Sequence, residues 1–315
     1  MNMKTYSGNV ETYLNHAFLV YSMLVVVTIP AYNEEKTIST LIGRIHKALK
    51  NKYKYKVLVV DDGSHDKTGK VAKSKGAIVF SHPKNYGLAE TFRTEIEKSL
   101  ELGADVIVHI DADMQYQPEE IPKLIKEVEN GNDLVLGSRF MGKIEYMPWI
   151  NRFGNKAFSH VVSQAAEMEI SDAQTGFRAF TKELATKVKV RSDHTYTQEQ
   201  IIRAVRNKFK IKEVPVYFAR RKDKSRLISN PISYAISAWI NLMRLYRDYK
   251  PLKFFGVIGT LIFSVGLLIG FYMIYLHLTS GIAGHLALLM LDVIILSVGF
   301  QLLTFALLAD MLEGR

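Results

Sequence analysis

The sequence predicts an α/β fold, a mostly parallel and doubly wound sheet followed by one interfacial helix and a two-helix transmembrane hairpin. Three observations predict it. Four apolar, β-branched runs each end in a polar turn and are followed by helical periodicity, as successive β-α units with right-handed crossovers require. No charged residue occurs from Phe254 to Leu278, about twenty-five positions, enough to cross about 30 Å of hydrocarbon. A second apolar span, at about 286–308, follows a short polar turn around 277–285.

Composition sets the outer limits. With 48% hydrophobic and 23% charged residues over 315 positions, the chain can build one sizeable domain plus an appendage and is too apolar to be disordered. It has no cysteine, which excludes disulfides, thiolate zinc sites and cysteine nucleophiles, so any metal must be held by oxygen or histidine. A net charge of +10 suits nucleic acid, an anionic membrane face or phosphorylated substrates, and does not choose among them.

Residues 1–22 have mixed polarity without a basic start and apolar core, and read as a peripheral extension, with Met23 an equally good start. The first strand is the run MLVVVTI at 23–29, of the kind buried on both sheet faces. Pro30 is expected to end it. Asn33 or a neighbour is expected to cap a helix that begins near Glu34 and carries Ile38, Leu41, Ile42 and Ile45 at helical spacing. A second strand at 56–60 breaks into DDGSHD at 61–66, and a third at 77–80 is followed by HPKNYGL at 82–88 and a helix from Ala89. The fourth, at 105–110, delivers DADMQ at 111–115. All four loops then gather at the carboxyl ends of the strands, where open α/β sheets bind ligands. Alternation along an extended segment would turn Asp111 and Asp113 to one side, so both could share a hard cation with substrate phosphates. Alone, such a pair is more often two solvated loop acids; the strand in front of it reverses that preference. Beyond lie a short strand at 133–136 with GSRF at 137–140, and a basic-aromatic helix around Trp149 and Arg152 that could lie near a membrane. The block DAQTGFRAF at 172–180, a helix opened by TYTQE at 195–199, and a basic run RRKDKSR at 220–226 follow.

Taken together and in order, IPAYNEE (29–35), VDDGS (60–64), NYGL (85–88), DADMQ (111–115) and GSR (137–139) resemble the inverting family 2 glycosyltransferases of the GT-A fold. More closely, they are similar to dolichyl- or undecaprenyl-phosphate sugar synthases. No G-x-G-x-x-G follows the first strand, which excludes a Rossmann dehydrogenase. The resemblance runs from about Met23 to the C-terminus. It implies a nucleotide-diphospho-sugar transferase domain over 23–228 and donor contacts from Pro30, Tyr32, Glu34, Asp62, Lys84, Asn85, Gly87, Asp111, Ala112, Asp113, Gln115 and Arg226. Glu34 and Asp62 sit where carboxylates can accept hydrogen bonds from a base and a ribose; the lesser alternative for Glu34 is that it merely favours a helix N-terminus. The implied cofactor is Mg²⁺ or Mn²⁺. Asp113 is its strongest ligand candidate, and Asp111 is either a second ligand or a contact to the nucleotide sugar. The catalytic set is Asp113, Arg139, Asp172 and Arg178, with Arg139, Arg178 and Arg221 toward the acceptor phosphate; Arg178 reads equally well as a structural ion-pair partner. The 172–180 block departs mildly from the family pattern, with Thr175 where Ser is common and Ala173 where Pro is frequent.

Chemistry decides whether a base is needed. A phosphomonoester has its second pKa near ~6 and is already nucleophilic at neutral pH. Glu199, which falls where related enzymes with hydroxyl acceptors keep a base, is required only for such an acceptor. The 220–226 run resembles the mobile loop that closes over the donor in this family.

Residues 229–251 read as an interfacial amphipathic helix, mixing Trp239, Ile240 and Tyr246 with Arg244, Arg247 and Lys250, and 252–315 as the hairpin. Basic residues ahead of the first span put the catalytic domain in the cytoplasm by the positive-inside rule. Asp292 lies near the outer end of the second span, and helix contact within a homo-oligomer is the reading of Gln301. The function expected is metal-dependent, inverting transfer of a sugar from GDP-mannose or a UDP-hexose or UDP-HexNAc to polyprenyl or dolichyl phosphate, as in protein glycosylation. The expected partners are those substrates and membrane lipids, with no nucleic acid. The alternative is a membrane glycosyltransferase with a hydroxyl acceptor, making a glycolipid or polysaccharide. Against a processive synthase, the chain has no Q-x-x-R-W and only two spans.

Overall fold

The computed structural model describes residues 23–192, 196–220, 231–281 and 284–313, and the chain forms two compact units, Met1–Ser229 and Asn230–Arg315. The first is built on a seven-stranded sheet of order β3-β2-β1-β4-β6-β5-β7. At its centre, β1 (Leu24–Ala31) is buried along its whole length and pairs in parallel with β2 (Lys54–Asp61) and β4 (Val106–His109). Burial on both faces is why these strands read as continuous apolar runs. The third strand, β3 (Ile78–Ser81), extends the parallel ladder beyond β2.

The helices between them supply the core's other half. In α1 (Ile38–Leu49), Ile38, Leu41, Ile42 and Ile45 are all fully buried, as their spacing demands. After it come α2 (Thr68–Ser74), α3 (Leu88–Glu101) and, beyond a 3₁₀ turn at Pro118–Glu120, α4 (Ile121–Glu129).

Two expectations at the first turn are corrected. Pro30 does not end β1 but lies inside it, opposite Val60 of β2. The register of β1 with β4 ends at the Thr28–His109 pair, two residues before Pro30, so the N–H that proline lacks removes no bond within that register. Asn33 is not a helix cap: it is left-handed (φ 56°), its side chain accepts from the His65 N–H, and the helix begins at Ile38, behind Thr37.

The second half of the sheet reverses direction. Between β4 and β5 (Leu134–Ser138) lies β6 (Arg178–Thr181), antiparallel to both, and β7 (Ile211–Pro215) closes the far edge parallel to β5. Because β6 runs backwards, its first residue, Arg178, pairs with the last of β4, His109. The loop before β6 therefore reaches the same rim as the turns after β1, β2, β4 and β5. Connecting helices are α5 (Trp149–Ala166), α6 (Lys182–Lys187) and α7 (Tyr196–Arg206).

The second unit contains α8 (Pro231–Tyr249), α9 (Pro251–Thr279) and α10 (Leu286–Glu313). The last two are long and apolar enough to cross a membrane. They pack closely on glycine: a Cβ on Gly266 would lie 2.7 Å from the Leu296 side chain, and one on Gly299 would lie 2.6 Å from the Phe263 nitrogen. Asp292 sits on this seam, 5% exposed, whereas Gln301 is exposed on the hairpin's surface.

Candidate active site

Each rim loop is held by side chains of its neighbour, which makes the polar turns a rigid cradle. Asn33 and Glu34 donate their N–H groups to Ser64 Oγ and Thr68 Oγ1 at 2.9 and 2.8 Å, tying the β1 turn to the β2 turn. Thr37 Oγ1 donates to a Glu34 carboxylate oxygen at 2.7 Å. Tyr32 meets His65 edge to face. The β2 turn in turn touches the loop after β3, where a Cβ on Gly63 (φ 72°) would fall 2.4 Å from the Lys84 carbonyl carbon.

Asp62 is 4% exposed and accepts from the Tyr86 and Gly87 N–H groups, both at 2.9 Å, and lies 2.8 Å from His82 Nδ1. Its carboxylate thus anchors the loop that carries Lys84 and Asn85, both exposed on the rim.

The acidic pair is presented by a turn, which corrects the extended geometry expected for it. Regular strand ends at His109, residues 112–113 turn, and Met114 is left-handed (φ 64°). Asp113 Oδ1 accepts from the Gln115 N–H at 3.1 Å, closing a turn in which a side chain stands in for a backbone carbonyl. Gln115 Nε2 donates to the Ala219 carbonyl at 3.2 Å, and the Ala219 N–H returns to the Gln115 carbonyl at 2.8 Å. That pairing fixes the start of the basic run to the acidic turn. Asp111 has a side chain 32% exposed. Gly176 makes room for it, since a Cβ there would lie 2.4 Å from Asp111 Oδ2.

These oxygens fit a hard divalent cation in one respect and limit it in another. Among the described residues no cluster of three or more His, Asp or Glu side chains could hold a metal, which leaves Asp111 and Asp113 as the carboxylates the acidic turn offers. Mg²⁺ and Mn²⁺ sites completed by substrate phosphates and water need no more.

Arg139 and Asp172 form a buried fork, Nε to Oδ2 at 2.7 Å and Nη2 to Oδ1 at 2.8 Å, with the Arg139 N–H also on Oδ2 at 3.0 Å. Ser171 and Asp172 donate their N–H groups to Glu213 at 2.8 and 3.1 Å, locking the fork to β7. The guanidinium of Arg139 also stacks over Phe218, 5.2 Å from the ring centre. Its edge facing Asp172 is therefore committed. Arg178 lies beneath the rim and not on it. It is 0% exposed and donates to the Thr197 carbonyl at 3.1 Å, to Gln200 Oε1 at 2.9 Å and to the Thr175 carbonyl, while its Nε has no partner. Among the described residues no carboxylate hydrogen-bonds it, and its guanidinium is sealed from solvent. Burial lowers its pKa. Its work is to staple the 172–177 loop to the start of α7.

Glu199 is 2% exposed. One carboxylate oxygen accepts from the Arg191 and Ser192 N–H groups at 2.9 and 2.7 Å, and the other pairs with Arg203 Nε at 2.6 Å. Arg221 and Arg226 lie outside the described residues.

Three contributors escaped the sequence reading. Tyr116, buried between Phe177 and Phe218, lies 3.2 Å from Thr175 Oγ1 and accepts from the Gly176 N–H at 3.3 Å; burial pushes its phenol upward. Glu95 and His109, both fully buried, lie 2.6 Å apart beneath Asp111. Burial opposes charge on the imidazole, but Glu95 and Asp111 outweigh it and raise its pKa to about 9. The available signal was a charged residue on the apolar stripe of α3.

Residues 26–188 match the family model described as Glycosyl transferase family 2. The chain belongs to that family. It is a glycosyltransferase, and its sheet with the acidic turn at the rim is the family's GT-A fold. It is 31% identical over 277 residues to the dolichol-phosphate mannosyltransferase of Pyrococcus furiosus, covering 85% of this chain and 76% of that one. The UDP-N-acetylglucosamine–dolichyl-phosphate N-acetylglucosaminyltransferase of Methanococcus voltae is 32% identical over 217 residues, covering 61% and 84%. Among solved structures, glucosyl-3-phosphoglycerate synthase of Mycobacterium tuberculosis, in complex with Mn²⁺, UDP and phosphoglyceric acid, superposes with a TM-score of 0.57 at 19% identity, covering 72% of this chain and 78% of that one.

Proposed function

We propose that this glycosyltransferase moves a hexose or N-acetylhexosamine from a nucleotide-sugar to a polyprenyl phosphate at the cytoplasmic membrane face, with inversion at the anomeric carbon. The relatives support the acceptor class. The match to the P. furiosus dolichol-phosphate mannosyltransferase takes in more residues than the sheet unit contains, so it reaches into the C-terminal helices.

The observation that carries the acceptor assignment is the state of Glu199. With one oxygen on two backbone N–H groups and the other on Arg203, its carboxylate is fully engaged and nearly sealed from solvent. A hydroxyl acceptor needs a base; a phosphate dianion does not.

In this reading Asp111 and Asp113 hold the divalent cation, which when bound supplies positive charge to the departing nucleoside diphosphate. Glu34 and the backbone around Asp62 receive the nucleoside, and Asp62 acts by holding the loop of Lys84 and Asn85 in place. Lys84, Arg139 and the 220–226 run lend positive charge to the phosphates. In-line placement of the acceptor is what the rigid cradle provides. Arg178 and Asp172 serve as supports for that cradle. The helix α5 exposes Trp149 (77%) and Phe153 (73%) beside the exposed Arg152 and Lys156, a composition suited to headgroups.

A screen of nucleotide-sugars against a short polyprenyl phosphate with Mn²⁺ or Mg²⁺, read as glycolipid, tests the reading. Glu199→Gln is expected to lower the melting temperature by several degrees, since it weakens a buried ion pair and two N–H contacts. Turnover with polyprenyl phosphate should stay within about threefold, because no proton needs removing. Free polyprenol should be inert with either protein. Transfer to the alcohol at a comparable rate, abolished by Glu199→Gln, would make Glu199 the base and the acceptor a hydroxyl.

A further inference from the structure

Asp111 stands over a buried polar pair that the fold alone does not require. Glu95 shares the buried stripe of α3 with Phe92 and Ser99, and His109 ends β4; both are 0% exposed. The His109 Nδ1 lies 2.6 Å from Glu95 Oε2, Thr28 Oγ1 donates to that oxygen at 3.3 Å, and the Phe92 ring stands edge-on with its centre 5.2 Å from the imidazole's. The ring is thereby fixed in position. Its other nitrogen, Nε2, has no hydrogen-bond partner and points at Asp111, 3.7 Å from Oδ1.

Such an arrangement is costly as a stability device. Replacing a buried ion pair by apolar side chains is often neutral or stabilising, and an orphaned buried polar atom is destabilising. Beneath a metal ligand the same features have a use, because partners behind the ligating groups set their orientation and typically carry about 10- to 100-fold in metal affinity or activity. A small rotation of the Asp111 side chain would close the gap to Nε2 and satisfy the orphan.

We propose that Glu95 and His109 are positioning residues for Asp111: Glu95 fixes the imidazole, and His109 Nε2 holds the Asp111 carboxylate in one orientation at the rim. This rests on the reading of Asp111 as a ligand of the divalent cation. His109 touches neither the cation nor the substrates and acts only through that carboxylate.

The two side-chain amides separate the role from packing. His109→Asn places an amide near Nδ1, keeping a donor to Glu95 but losing the reach to Asp111; His109→Gln extends to the Nε2 position. Mn²⁺ binding to the full-length protein, measured by electron paramagnetic resonance with GDP or UDP present, should be weakened about 10-fold in His109→Asn and within about threefold of wild type in His109→Gln. In an Asp111→Asn background the difference between the two amides should vanish. Wild-type Mn²⁺ affinity in folded His109→Asn, or equal losses in both variants, would overturn the positioning role. Failure of wild type to bind Mn²⁺ with either nucleotide would instead remove the cation reading and the proposal with it. If His109→Asn does not fold, Glu95→Gln decides: weaker Mn²⁺ binding at an unchanged melting temperature supports the pair, and unchanged binding overturns it.

Discussion

Asp113→Ala is expected to fold like the wild type and to turn over about 10³-fold more slowly, a loss of ~4 kcal/mol in transition-state stabilisation. The fold should survive because Asp113 lies in a rim turn whose closing contact, the Gln115 N–H at 3.1 Å, is worth about 1 kcal/mol. The rate should not, because among the described residues no cluster of three or more His, Asp or Glu side chains could take over the cation from the acidic turn. Charge developing on the leaving diphosphate would then be met by the surrounding lysines and arginines alone. The measurement is kcat with saturating donor and acceptor, set beside a melting curve. Turnover within tenfold of wild type in the folded variant, or full wild-type activity in excess EDTA, would falsify the assignment of the acidic turn to the metal.

How far the sequence could carry this is visible at particular positions. The strands β1, β2 and β4 were legible because burial on both faces leaves no room for polar alternation, and the acidic turn was legible because two carboxylates at such a strand end have few structural uses. The hairpin was legible from length and apolarity. The insertion of β6 between β4 and β5 was not, since four residues of strand carry no information about partner or direction, yet it is this insertion that brings Gly176 against Asp111. Pro30 misled because a proline's cost in a strand depends on whether the neighbour still needs its N–H, which is a property of the ladder. The helix α2, implied by the succession of β-α units, had no legible bounds because seven residues with only Thr68 and Ala72 buried show little apolar period. Arg178 and Glu199 are both buried, 0% and 2% exposed, a property that the sequence does not display and that the proposed supporting roles rest on. Asp62 carries a second feature that the sequence does not display: its two oxygens accept from the N–H groups of Tyr86 and Gly87.

The other large effect is expected from the C-terminal helices. A protein ending at Lys250 should keep donor and metal binding, because the core cluster that shapes the rim, from Val25 to Phe218, lies wholly before that point. Transfer to a long-chain polyprenyl phosphate in bilayers should fall by about 100-fold or more in kcat/KM. The reason is effective concentration: a long-chain acceptor is confined to the membrane, and an enzyme anchored there by two spans meets it as a tethered partner, an advantage of about 10²–10⁴ without any new contact. The aromatic and basic residues left on α5 and α8 give only reversible interfacial binding and recover part of that loss at low ionic strength. With a short, water-soluble polyprenyl phosphate the tether confers nothing, and the truncated and intact proteins should differ by no more than about threefold. The two acceptors therefore separate placement from chemistry in one assay. If the truncated protein fails equally with both, the helices shape the acceptor site itself; if it uses the long-chain acceptor as well as the intact chain does, anchoring contributes nothing to the reaction.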